Sequence, residues 1–412
     1  NFRRHLVWDR LPWEKEVYDQ RPRYVYPPSD LISTLLDLYF NSVHPILPVL
    51  HRPSFERSVA EGLHLNDTQF GATLLAMLGI ASRYSNDPRV FVDGDTTLSS
   101  GWIFVKQLEV VRKLFEPTLY DMQFYCLMAL FSLGTSAPET AWLYMGIGIR
   151  SIQQRGEHRR KRQGGRLDPA RELWNRAFWS LMSLDRLLCL FLGRPTDASD
   201  HDQLKVDLPL AVDDEYWEQG SAQPVGTPSL LSYFVCHVRL YEILGDALRR
   251  LYPSKKARIR MNTSNPEWER SAVAELDSAM NDWLDTVPDH LRWDPDKAPS
   301  IFLKQSAVLY TTYYSVQITI HRPHIYQSTK LAAPSLLICT SAARSVLHIA
   351  DVWLEKVQEL PLPYMTSPVF ISGIILMLNV FGSKRAGLSI DNNRDFLQVE
   401  TAFKFQKSAG SR

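Results

Sequence analysis

DPARELWNRAFWSLMSLDRLLCLFLGRP, residues 168–195, decides the fold class. Asp168 places a short polar side chain where a helix N-cap is wanted. Pro169 takes the first helical position, where its missing N–H costs nothing. The apolar pattern then runs unbroken to Gly193, a helix stop, with Pro195 just beyond it. Steps of four and three put Trp174, Phe178, Leu181, Asp185, Leu188 and Leu192 on one face. That face predicts burial, yet it carries a carboxylate at its middle. The adjacent face, with Trp179, Met182, Arg186 and Leu190, repeats the problem with a guanidinium. Neighbouring helix positions point about 100° apart, so Asp185 and Arg186 cannot readily pair with each other. Each needs a partner from another helix, because a lone buried charge costs several kcal/mol. Arg150 and Arg322 are the candidates for Asp185.

Working outward, the same periodicity recurs. Leu31, Leu35, Leu36, Tyr39, Phe40 and Val43 predict a helix behind Ser29 as N-cap, and 67–82 a second one capped by Asp67. Between them Pro53 and Gly62 break the pattern over 51–63. A loop rich in Gly, Asp and Pro leads to an amphipathic stretch near 102–115, followed by helices near 119–133 and 138–155. Beyond a proline- and acid-rich connection at 200–227, helices read near 228–251, 266–286 (capped by Asn265), 300–321, 335–359 and 367–381. Alternating strand patterns with hairpin turns are absent. The expectation is an all-α fold with no sheet of consequence. It divides into an N-terminal extension (1–27), one large domain (28–385, whose two lobes, if distinct, join near 195–227) and a C-terminal tail (386–412).

Composition agrees with a folded chain: 45% of the 412 residues are hydrophobic and 22% charged, which excludes a disordered or fibrous protein. Lys and Arg number 46 against 45 Asp and Glu, so no global basic field draws the chain onto DNA or a membrane. Cys126, Cys189, Cys236 and Cys339 lie too far apart for a disulfide framework or a four-ligand metal knot, and a reducing compartment is the natural reading. The opening NFRRHLVWDR has neither Met nor an apolar signal segment, and it reads as part of a longer protein. The longest uncharged stretch, Leu360 to Ser383, centres on VFISGIILMLNVF (369–381). Thirteen helical residues rise about 20 Å against the roughly 30 Å of a hydrocarbon core. A buried core helix, a soluble chain and no membrane partner follow.

Candidate chemistry is sparse. Asp213-Asp214-Glu215 invites comparison with all-α isoprenoid synthases, whose carboxylates one turn apart hold magnesium against a diphosphate. Trp217 stands where a third carboxylate belongs, and the segment follows Pro209 in a loop. A solvated acidic loop is the preferred reading, and an all-α metal-dependent enzyme using 213–218 is the rival. His321 and His324 flank Pro323, which ends their helix, and they read as helix-end histidines making ordinary hydrogen bonds. His201-Asp202, beside Asp200, is a similar weak case. Cys126 and Cys189 read as small core residues. No Gly-x-Ser-x-Gly turn is present, and Gly146 and Gly148 sit inside a helix with no preceding strand. No catalytic residue, metal site or cofactor is therefore assigned to this chain. The one dense charge run is RGEHRRKRQGGR (155–166), where Arg155, Arg159, Arg160, Lys161, Arg162 and Arg166 face the single acid Glu157. A solvated loop complementing a helix C-terminus is the plain reading. The functional ones are a nuclear-import epitope or a phosphate-contacting loop formed by Arg159, Arg160, Lys161 and Arg162.

Three segments carry a family likeness: YFNSVHPILPVLHRPSFE (39–56), AWLYMGIGIRSIQQRGEHRRK (141–161) and ELWNRAFWSLMSLDRLLCLFLGRP (172–195). They resemble the fungal-specific transcription factor regulatory domain, the middle region of fungal binuclear zinc cluster activators, also named after the xylanolytic activator. VDLP (206–209), DDEYW (213–217), VPDHLRWDP (287–295), LYTTYYSVQITIHRPHI (309–325) and CTSAARSVLHIADVW (339–353) extend the likeness over roughly residues 20–380. Its most specific run ends in Asp185, Arg186, Gly193, Arg194 and Pro195, which read as a structural motif. Glu157 departs from the pattern, at what reads as a loop edge.

The resemblance implies a non-enzymatic, effector-sensing regulatory domain that controls DNA-templated transcription in the nucleus. DNA contact and zinc belong to a six-cysteine knot upstream, which four scattered cysteines cannot build. A homodimer and a small-molecule or protein effector are the further partners it implies, and it supplies no ligand-site residues. A decayed regulator acting only as a dimerisation partner is the remaining alternative.

Overall fold

The computed structural model describes residues 22–92, 96–109, 117–159, 168–194, 206–217, 222–260, 265–325, 331–385 and 393–410. Regular structure among them is helical, without strands. In chain order the helices are α1 (Ser29–Ser42), α2 (Arg52–Ala60), α3 (Leu63–Asn66), α4 (Thr68–Ala81), α5 (Trp102–Val105), α6 (Leu119–Leu133), α7 (Glu139–Arg155) and α8 (Pro169–Leu192). Then come α9 (Leu231–Leu251), α10 (Lys255–Arg260), α11 (Pro266–Thr286), α12 (Ile301–His321), α13 (Ala332–Val352), α14 (Pro363–Arg385) and α15 (Asn393–Ala409).

Local chemistry explains most of the boundaries. Asp168, Asp67 and Asn265 each accept a backbone N–H at the start of their helices. Gly193 ends α8 at φ 62°, a left-handed conformation that an L side chain adopts only with strain. Thr118 and Asp121 form a reciprocal capping box ahead of α6.

Four expectations require correction. Pro53 does not break the pattern but falls in the first turn of α2, which His51 caps by accepting from the Ser54 N–H, whereas Gly62, at φ 73°, does separate α2 from α3. The amphipathic stretch near 102–115 is helical only over Trp102–Val105 among its described residues, and 110–116 lie outside them. The tail 386–412 contains α15, anchored by a bidentate Arg344–Asp395 pair at 2.9 and 3.1 Å. The thirteen-residue apolar core helix is in fact the 23-residue α14, with Pro368 inside it and one face open. By length and composition α13, extended through Val357, and α14 could each cross a membrane, but both pack within the common core.

One apolar core runs from Leu31 to Phe405. In the first half of the chain α6 packs between α4 and α7, with α8 across α6 and α7. In the second, α9 packs on α11 and α12, and α12 through α15 stack in succession. The α8–α9 contact joins the halves, and Gln305 of α12 adds a buried clip by donating to the carbonyls of Pro45 (2.9 Å) and Leu230 (2.8 Å).

Charges cross the same seam. Asp185 and Arg186 are both buried. Arg186 lies across Gly245 in the middle of α9, where an added Cβ would meet its Nε at 2.9 Å. That close approach accounts for a glycine at a helix-interior position, where it is otherwise unfavourable. Burial pushes the Arg186 pKa down to about 10, opposed by the charges of Glu242 and Asp185. Of the partners expected for Asp185, Arg322 is engaged elsewhere. Arg150 is exposed on α7, while Arg322 donates to the Tyr252 hydroxyl at 3.3 Å and lies over that ring. Cys189, one turn along α8, places its Sγ 3.7 Å from the Asp185 carboxylate.

Candidate regulatory site

Arg176, Glu172 and Trp179 share one side of α8 and together hold the loop 206–217 against it. The Trp179 indole donates to the Asp207 carbonyl at 3.1 Å, and Glu172 accepts the Leu210 N–H at 2.7 Å. Arg176, fully buried, donates to Asp214 at 2.7 Å. Its guanidinium also lies 4.4 Å from the centre of the Trp217 ring, a cation–π contact.

The other Asp214 oxygen faces the first segment of the chain. It lies 3.3 Å from His44 Nε2 and accepts the Arg52 N–H at 2.9 Å. His51 completes the arrangement. Its Nδ1 accepts from the Ser54 N–H at 3.3 Å, which leaves Nε2 to donate to the Asp214 carbonyl at 3.1 Å. The imidazole stacks on Trp217 with ring centres 4.4 Å apart. Burial alone would raise the Asp214 pKa, but Arg176 and His44 override it and hold the carboxyl well below the usual carboxylate range. His51 is shifted down, chiefly by burial.

The solvated acidic loop expected at 213–215 is therefore corrected for two of its three residues. Asp214 is a largely buried anchor, its side chain 10% exposed, whose carboxyl is held ionised by Arg176 and His44. Asp213 caps α9, accepting from Ser229 Oγ at 2.7 Å and the Leu230 N–H at 2.9 Å. Glu215 remains exposed. Because the two aspartates are committed to different partners, they do not converge as a divalent-cation pair. Among the described residues no group of three or more His, Cys, Asp or Glu side chains is placed to hold a metal. His321 is bound by Ser335 (3.2 Å) and Asp277 (3.1 Å), and His324 is buried.

Glu157 is also more than a loop edge. It is buried and takes Arg171 of α8 at 2.7 Å. Of the basic run, Arg160, Lys161 and Arg162 lie outside the described residues, and Arg159 closes a short 3-10 turn. Arg194 places its guanidinium over Trp142 at 5.9 Å, while Pro195 and His201-Asp202 lie outside the described residues.

Two openings meet at Arg52, and Asp214 lines the smaller of them. One, of about 280 Å³, is lined by Phe40, His44, Arg52, Asp213, Asp214 and Leu231. The larger, of about 710 Å³, lies between α1 and α2, where Ile32, Leu36 and Val59 meet Asp37, Arg52 and Glu56. Its volume falls in the range of small-molecule sites, about 300–1,000 Å³. Arg52 lines both openings. Its N–H holds Asp214, while its side chain reaches Asp37 at 2.6 Å and Glu56 at 2.7 Å. Sequence reasoning missed Arg52 and Arg176. The available signal was Arg176 standing one turn from both Glu172 and Trp179 on α8.

The segments that meet at Asp214 are among those that carry the family likeness, 39–56, 172–195 and 213–217, and 206–209 joins them through Trp179. The chain belongs to the fungal specific transcription factor domain family, whose model matches residues 36–285. It is 24% identical to the transcriptional activator protein acu-15 of Neurospora crassa, over 89% of this chain and 39% of that protein. Identity is 25% with cutinase transcription factor 1 alpha of Fusarium vanettenii (76% and 33% covered). It is also 25% with activator of stress genes 1 of Saccharomyces cerevisiae (86% and 37% covered). The chain thus spans between a third and two fifths of these relatives' lengths.

Proposed function

We propose that this chain is the effector-sensing regulatory domain of a fungal zinc cluster transcription factor, acting in the nucleus. DNA contact and zinc reside in a six-cysteine module elsewhere in the parent protein. The observation that carries the reading is the convergence of family-bearing segments on one largely buried anchor, with an open groove sharing Arg52. An occupant of the α1–α2 groove touches Arg52, and Arg52 is hydrogen-bonded to the anchor. A ligand there can therefore bias the packing of α1 and α2 against α8, which is what a two-state regulator requires. The relatives named above are transcriptional activators and regulators, which supports a non-enzymatic role.

The test is a transcriptional fusion. The 412-residue chain is placed between a heterologous DNA-binding domain and a strong activation segment in a fungal reporter strain. Reporter output changes several-fold relative to the fusion lacking the chain, and Ile32→Trp, which fills the groove, shifts it again. Output identical in all three fusions at equal protein levels contradicts the reading.

A further inference from the structure

Away from the α8–α9 contact the two halves enclose a cavity of about 260 Å³, walled by Ile80 and Leu133 of the first half and by Leu362, Thr366 and Gln406 of the second. An apolar cavity of about 150 Å³ already accommodates benzene, so this one has room for a small organic molecule. A wider opening of about 490 Å³ shares Arg83, Tyr84 and Leu360 with it and adds Gln358 and Glu359. Glu359 is paired with Lys304 at 2.5 Å.

Among the described residues Arg83 is the one charged side chain in the inner wall, and it is 8% exposed. Its Nη2 donates to the Phe131 carbonyl at 2.7 Å, and its guanidinium lies 4.6 Å from the centre of the Phe131 ring. Gly134, in the same wall, leaves the guanidinium its place, since an added Cβ would collide with Nη1. Burial pushes the Arg83 pKa down to about 10, opposed by Tyr84. The opposite wall is strained. Helix α13 runs into a π-turn over Trp353–Val357, and Gln358 then stands at φ 53°, the one non-glycine residue with positive φ among those described. The buried Trp353 fixes this turn by donating to the Glu359 carbonyl at 3.0 Å, next to Leu360 in the cavity wall. Strain held in place by its surroundings gathers at ligand clamps and switch regions.

We propose that this cavity binds a small organic monoanion, its carboxylate on Arg83 and its aliphatic body against Ile80, Leu133 and Leu362. Charge and shape both select it, because the inner wall carries one cation, no acid among the described residues and an aliphatic lining. A guanidinium has five N–H donors and can hold the Phe131 carbonyl and a carboxylate together. The bound anion ties the turn at Ser82–Tyr84 to the 354–363 segment and to α15, at a place separate from the Asp214 anchor and the α1–α2 groove.

The probe is 4-methylpentanoate, with 4-methylpentanamide as its neutral twin, each titrated calorimetrically into the 412-residue chain. The carboxylate binds saturably at one site, roughly tenfold or more tighter than the amide, the scale of a hydrogen bond to a charged group. Hydrogen exchange slows over 353–363 and 393–410. Arg83→Gln weakens binding by roughly tenfold or more. Ala409→Phe, at the half-buried rim, fills the cavity, leaves Arg83 in place and abolishes binding while circular dichroism stays helical. Equal affinity for the two probes overturns the proposal, as does affinity that survives Ala409→Phe. Protection confined to the α1–α2 groove places the anion there and does the same. So does an absence of saturable binding up to about 10 mM, the weakest affinity expected for a ligand of about eight heavy atoms. Binding is read on the chain itself, so its failure stays distinct from failure of the reporter fusion.

Discussion

Helices α8 and α14 are nearly equal in length and opposite in character. Over 24 residues α8 buries Glu172, Arg176, Asp185 and Arg186. Over 23 residues α14 presents five large apolar side chains to the surface. Usual sorting puts charge outside and apolar surface inside, and each helix departs from it. On α8 the buried charges fix the loop 206–217 and meet α9 across the seam between the two halves. On α14 Phe370, Ile374, Met377, Leu378 and Phe381 stay at the surface.

The largest expected effects fall on α8. Arg176→Ala leaves the largely buried Asp214 without its main counter-charge and lowers unfolding free energy by about 3–5 kcal/mol, the scale for removing one partner of a buried pair. Asp185→Ala is expected in the same range. At the open face of α14, Phe370→Ser changes monomer stability by less than about 1 kcal/mol. Denaturant midpoints of the three variants measure the contrast. Similar shifts for all three would erase it.

Acid separates the anchor from the second-half core. Asp214 has a depressed pKa, so its contribution is complete above its unfolded value of about 4 and is lost as pH falls through the folded value. His237, fully buried among Tyr233, Tyr241 and Tyr364, has its pKa pushed down to about 3 by burial. Its neutral form stabilises the fold above the unfolded value of about 6.5, and that contribution falls away as pH drops toward 3. His51, His64 and His290 are shifted in the same direction. Stability therefore begins to decline below about pH 6.5, well before the carboxylates titrate. Replacing His237 by Phe flattens the slope between pH 6.5 and 4, and an unchanged slope would remove His237 from this account.

The boundaries of α8 were legible because caps and periodicity are local signals: Asp168, Pro169 and Gly193 each act within one turn. Helix α2 was hidden by Pro53, whose meaning depends on whether it falls inside a helix or in its first turn. The Asp214 anchor was illegible for a different reason. Its partners stand 38 residues away at Arg176 and 170 at His44, and a triplet of acids in a proline-rich segment reads locally as solvent-facing. The open face of α14 was hidden too, since a pattern apolar all round does not say which side is covered.

A double-mutant cycle on Arg176 and Asp214 tests the central claim that this pair welds the family-bearing segments together. Arg176→Met, Asp214→Asn and the double variant are unfolded in denaturant at pH 7. The account predicts that the double variant is more stable than the sum of the single losses requires, by about 2 kcal/mol or more. Losses that simply add would mean the two charges act independently, and the anchor would not exist as described.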